Sequence, residues 1–73
     1  MIEVKLFAYL RDNRGKSVMI EYHEGLTIED VILDLGIDVN RVSITLINGR
    51  HKTLDTVLKD NDKLFLFPPV GGG

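Results

Sequence analysis

"LTIEDVILDLG", residues 26–36, is the stretch on which the fold turns. Thr27 is placed to cap a helix, and Asp30, three residues on, is a shorter version of the capping-box acid. Glu29 and Asp30 set negative charge at the positive end of the helix dipole. Leu26, before the cap, and Val31 have the spacing of a hydrophobic staple. Ile28, Val31, Ile32 and Leu35 follow the i, i+3, i+4, i+7 rule, and Gly36 is the residue expected just past the last turn. The stretch predicts one short helix with a single apolar stripe, made to lie on a sheet.

The strands to cover it stand on both sides. Ile2 to Tyr9 alternates, with Ile2, Val4, Leu6 and Ala8 on one face and Glu3, Lys5, Phe7 and Tyr9 on the other. Asp12-Asn13-Arg14-Gly15 is a turn cluster, and Lys16 to Tyr22 alternates again, so the start reads as an antiparallel hairpin. After the helix, Val42 to Ile47 is a third strand, with Val42, Ile44 and Leu46 expected to face inward. Asn48-Gly49 then predicts a tight hairpin into Arg50-His51-Lys52. Asn61-Asp62 opens the last strand, Lys63 to Phe67, in which Leu64 and Leu66 face the core. Pro68-Pro69 ends pairing and forces a stiff, extended exit. The order is β-β-α-β-β-β, an α+β architecture: a mixed sheet of four to five strands with one helix packed on one face.

Composition narrows the functions. At 73 residues the chain has room for one domain, and its apolar and charged fractions of 44% and 27% are those of an ordinary soluble protein. A net charge of −2 supplies no basic field for a phosphate backbone, so no nucleic-acid partner is expected. No apolar run approaches the roughly 20 residues of a membrane span, and Met1-Ile2-Glu3-Val4-Lys5 has none of the regions of a signal peptide. No membrane partner is expected, and a cytoplasmic location is. Cysteine is absent, which removes disulfides, thiolate metal sites and the best nucleophile. His23 and His51 lack neighbours at metal-ligand spacing and read as solvated imidazoles, so no metal site is expected. No catalytic triad, carboxylate pair or phosphate loop is legible, and the body does not read as an enzyme.

Two features call for a partner. With the helix over Val4, Leu6, Ile44, Leu46, Leu64 and Leu66, the other face receives Phe7, Tyr9, Ile47, Phe65 and Phe67, where alternation should have put polar residues. Such patches mark interaction sites, although cross-strand aromatic pairs also steady a sheet. The second feature is the ending "FPPVGGG", residues 67–73. From Pro68 to Gly73 an extended arm reaches roughly 20 Å, at about 3.3–3.6 Å per residue. Glycine, lacking Cβ, lets such an arm pass down a narrow channel and carry a carboxylate into another protein's active site. Ordering the glycines costs about 1–2 kcal/mol each, more than their hydrogen bonds of about 0.5–1.5 kcal/mol return. The aromatic face must therefore supply the affinity. The chain divides into a body, residues 1–67, and an extended, flexible diglycine tail, residues 68–73.

With these residues in view, the chain resembles the MoaD/ThiS family of sulfur carriers, ubiquitin-like β-grasp proteins, and within it the small subunit of molybdopterin synthase. The resemblance rests on Met1-Ile2-Glu3-Val4-Lys5-Leu6-Phe7-Ala8, on Ile47-Asn48-Gly49, and on Lys59-Asp60-Asn61-Asp62-Lys63 leading into Phe67-Pro68-Pro69-Val70-Gly71-Gly72-Gly73. It covers essentially the whole chain. It implies that the first and last strands lie side by side at the centre of the sheet. It also implies an E1-like adenylating partner (MoeB/ThiF type) that activates the Gly73 carboxylate with ATP and Mg. A sulfur donor system would then convert that group to a thiocarboxylate for the large synthase subunit, in molybdopterin and molybdenum cofactor synthesis. By this resemblance Gly73 carries the activated carbonyl and Gly72 completes the diglycine. Phe7, Phe65, Phe67, Pro68, Pro69, Val70 and Gly71 meet partners, and no cofactor is bound by the chain itself. The segment Gly36 to Arg41 is shorter than in many synthase small subunits, which keeps thiamine thiazole synthase open as the acceptor. Two readings from other classes stand beside it: a protein modifier joined to lysines through Gly73, and a plain binding module.

Overall fold

The helix stands where its caps put it. In the computed structural model, which describes residues 1–69, helix α1 spans Ile28–Asp34. Thr27 Oγ1 accepts from the Asp30 amide and the Asp30 carboxylate accepts from the Thr27 amide, each at 3.1 Å, so the capping box closes. The amides of Ile28 and Glu29 donate to the carbonyls of Thr56 and Leu54, and that of Val31 to Thr27, so every donor of the first turn is satisfied. At the other end Gly36 adopts φ +72°. Its amide donates to Leu33 and that of Ile37 to Ile32, the paired bonds of a Schellman motif, and the Ile37 side chain turns into the core.

The sheet comprises β1 (Ile2–Leu6), β2 (Ser17–Ile20), β3 (Ile44–Ile47), β4 (Arg50–His51) and β5 (Lys63–Phe67), in the order β2-β1-β5-β3-β4. β1 and β5 run parallel at its centre, with Val4 opposite Leu64 and Leu6 opposite Leu66. The other pairings are antiparallel. This is the ubiquitin-like β-grasp. Ile2, Val4, Leu6, Leu64 and Leu66 on one side, and Ile28, Val31 and Ile32 of α1 on the other, are all fully buried. Among the described residues no helix is long and apolar enough to cross a membrane.

Two expectations are corrected. The first strand stops at Leu6 rather than Tyr9, because Ala8–Arg11 forms a 3₁₀ turn that opens at Ala8 with φ +53°. The turn buries Leu10 in place of the smaller Ala8, and Arg11 Nε donates to the Leu6 carbonyl at 2.7 Å. Burying the longer side chain is the larger hydrophobic gain. The faces of the third strand are also the reverse of those expected: Thr45 and Ile47 are buried, while Ile44 and Leu46 lie on the open face. Both alternating sets in "VSITLI" contain apolar residues, so periodicity could not choose between them. Register chose: the Asn48 amide donates to the Lys63 carbonyl at 2.9 Å, and Asn48 Oδ1 accepts from the Lys63 amide at 3.0 Å. That clamp puts Ile47 opposite Leu64 and Thr45 opposite Leu66. The Thr45 hydroxyl donates to the Lys52 carbonyl, which removes the penalty of burying it. Val42 precedes the strand and packs against the edge of the core.

Candidate functional site

The face of the sheet away from α1 changes character along its length. Near the start of β1 it is ionic: Glu3 lies between Lys5 and Lys63, at 3.6 and 3.7 Å. Towards the end of β5 it becomes apolar. Phe65 and Phe67 alternate onto this face, and the pairing sets Leu46 opposite Phe65 and Ile44 opposite Phe67. Phe7 leaves the end of β1 and lies over the same corner. Its ring is stacked on Phe67, with centroids 4.2 Å apart and planes at 10°, and stands 6.4 Å from Phe65. Offset stacks of this kind contribute about 0.5–1.5 kcal/mol beyond area burial. The apolar side chains of this corner all remain partly exposed, so the face keeps surface that a partner could cover.

The aromatic residues expected at a docking surface, Phe7, Phe65 and Phe67, are thus brought together. Ile47 is not among them, and Tyr9 stands apart in the 3₁₀ turn, 41% exposed. Ile44 and Leu46 take the place of Ile47, so the open face is more apolar than alternation suggested. Pro68 and Pro69 leave β5 directly beside the stack, and the Ser43 amide holds the Phe67 carbonyl at 2.8 Å, fixing the point of departure. Val70, Gly71, Gly72 and Gly73 lie outside the described residues. His23 and His51 are both exposed, and among the described residues no cluster of His, Asp or Glu could hold a metal.

Sequence reading missed Arg11. Its guanidinium carbon lies 5.3 Å from the centroid of the Phe7 ring, a cation–π contact that covers one side of the stack. The i, i+4 spacing from Phe7 to Arg11 hints at it only once the segment is known to curl into a helical turn. Arg14 was also missed. It reaches across to the C-terminal end of α1 and donates to the carbonyls of Leu35 and Gly36 at 3.2 and 3.4 Å.

Known proteins share this architecture. The structure of a putative molybdopterin converting factor subunit 1 from Pyrococcus furiosus superposes with a TM-score of 0.77 at 29% identity, covering 94% of this chain and 97% of that one. Small archaeal modifier protein 1 from Haloferax volcanii gives a TM-score of 0.78 at 26% identity, with the same coverages of 94% and 97%. Subunits 1 and 2 of the molybdopterin-converting factor of Helicobacter pylori, solved as a complex, include a chain similar in fold, with a TM-score of 0.64 at 23% identity, covering 99% of this chain and 97% of that one. No curated protein matches by sequence. The model of the ThiS family matches residues 4–73, nearly the entire sequence. With a match of that extent on a fold its neighbours share, the chain belongs to the ThiS family, small ubiquitin-like carriers rather than catalysts.

Proposed function

We propose that this protein carries sulfur on its C-terminal glycine for molybdopterin synthesis. The Gly73 carboxylate attacks the α-phosphorus of ATP, bound with Mg by an E1-like enzyme, and pyrophosphate leaves. A sulfide equivalent from a donor system then attacks the acyl carbon of the adenylate, expelling AMP and leaving a thiocarboxylate. The large subunit of molybdopterin synthase receives the sulfur. The observation that carries this reading is the ordered stack of Phe7, Phe65 and Phe67 at the point where Pro68 and Pro69 lead towards the glycines. Its apolar area offsets the cost of ordering a glycine-rich segment in a partner's channel. The family match running through Gly73 and the resemblance to a molybdopterin converting factor subunit support it. The absence of cysteine agrees with sulfur carried on the main chain. ATP and Mg belong to the partner, and the chain itself binds no cofactor.

The experiment is whole-protein mass spectrometry after incubation with an E1-like enzyme, ATP and a sulfur donor. One oxygen is expected to be exchanged for sulfur, and the exchange to vanish when Gly72 and Gly73 are both deleted, which leaves no terminal diglycine. A product that survives the deletion refutes the proposal. The similarity to small archaeal modifier protein 1 favours a second reading, conjugation of Gly73 to lysines of other proteins through the same adenylate. A ladder of conjugates without a thiocarboxylate would decide for that alternative.

A further inference from the structure

The two edges of the sheet differ. β4 is an edge of two residues, and the run Arg50-His51-Lys52 sets basic side chains along it, devices that keep an edge from pairing. The other edge, β2, is unguarded: Ser17–Ile20 reads SVMI, without a charge or a proline, and its register with β1 runs unbroken. Pairing with β1 uses only half of its main-chain groups. The Leu6 amide donates to the Lys16 carbonyl, and alternation makes Val4–Val18 and Ile2–Ile20 the next hydrogen-bonded pairs. The Glu3 amide turns the other way, to the Asp62 carbonyl beside β5. The amides and carbonyls of Ser17 and Met19 therefore point off the sheet, and those of Glu21 continue the row. Met19 is 54% exposed, and Met1, diagonal to it at the start of β1, is 49% exposed.

We infer that β2 is the seat of a weak symmetric dimer, in which a second copy of this chain adds its own β2 antiparallel and extends the sheet. A two-fold axis normal to the sheet brings each outward residue of one copy against an outward residue of the other. Centred on Met19, it sets Met19 against Met19 and Ser17 against Glu21, so every outward amide and carbonyl of the segment gains a partner. Moving the axis to Val18 carries Glu21 opposite Gly15, whose amide Arg11 already holds. Moving it to Ile20 carries Ser17 opposite His23, whose carbonyl the Leu26 amide holds. The Met19 register also matches side chains by kind. On the core side Val18 meets Ile20 of the second copy. On the open face Glu21 of the second copy stands beyond Ser17, in the row that Lys5 begins. Two strand spacings of about 4.7–4.9 Å separate it from Lys5, within reach of that long side chain. Glu3 can release Lys5 because Lys63 stays beside it. The β5 strands of the two copies then run in opposite directions, and both Pro68 exits stay clear of the contact. One added strand pair is small beside the interface of a permanent dimer, which makes the association weak.

The test is sedimentation equilibrium of the full chain between about 10 μM and about 1 mM, with amide hydrogen exchange at both ends of that range. The mean mass is expected to climb towards twice the monomer's as concentration rises, as mass action requires. Exchange at the amides of Ser17, Met19 and Glu21 should slow severalfold over the same range, and exchange at Arg50 on β4 should not change. M19K alters an exposed side chain and sets two cations against each other on the axis. It should weaken association about tenfold or more with its thermal midpoint unchanged. L33K, which replaces a similarly exposed apolar residue on α1, should associate as the unaltered chain does. A mass that stays monomeric at about 1 mM overturns the inference. So does an M19K variant that associates normally, or protection that spares Met19 and falls elsewhere.

Discussion

At the scale of single residues, the reversed faces of β3 make the clearest forecast. Ile47 is buried opposite Leu64, whereas Ile44 lies half-exposed opposite Phe67. Ile47→Ala should cost about 2–4 kcal/mol by deleting buried methyl groups and leaving a cavity. Ile44→Ala should cost less than about 1.5 kcal/mol yet weaken docking to the partner. Urea unfolding of the two variants checks this, and equal losses would refute the assignment. A second forecast concerns acid. The Thr27 backbone amide, and then its hydroxyl, bond to Asp30 and hold its carboxyl below the ordinary value. Asp60 is lowered likewise, first through its bond to the N-terminal ammonium 2.7 Å away. A carboxylate with a depressed folded pKa contributes stability that is present above its unfolded value, about 3.9. It loses that contribution as pH falls through the lower folded value. Asp30→Asn should therefore narrow the gap between thermal midpoints at neutral pH and at about pH 2.5, compared with the unaltered protein.

At the scale of elements, both ends of α1 were legible in "LTIEDVILDLG" because capping is local: donor, acceptor and backbone angle lie within a few residues of one another. Gly36 is the test. A Cβ built there meets nothing within 4 Å, so the cost of Gly36→Ala comes from φ +72° rather than from a clash. The loss should be about 1 kcal/mol, a drop of roughly 4–8 °C in thermal midpoint for a domain of this size. No measurable change would mean that the Schellman turn does not constrain the fold. The same helix has no basic residue in its own last turn, and Arg14, from the loop before β2, supplies the positive charge there. That contact joins segments 21 residues apart, and no local pattern announces it.

At the scale of the whole molecule, the proposed carrier role gives body and tail separate duties. Among the described residues, every fully buried large side chain lies between Ile2 and Leu66. Removing residues 70–73 should leave the thermal midpoint within about 2 °C of the intact protein while abolishing adenylation, readable by calorimetry and by release of pyrophosphate. A large loss of stability would show that the tail belongs to the fold. The order of elements, the capped helix, the hairpin turns and the aromatic character of the end of β5 were set by the sequence alone. Each depends on spacing within a single segment or on composition. Tertiary structure decided which face of β3 is buried, where β1 ends, and that Arg11 covers the Phe7 ring. Those outcomes turn on register between strands and on side chains meeting across loops. The physical reason is that a period of two leaves either face of a strand open to burial, and only hydrogen bonds to a partner distant in sequence, here Asn48 to Lys63, select one.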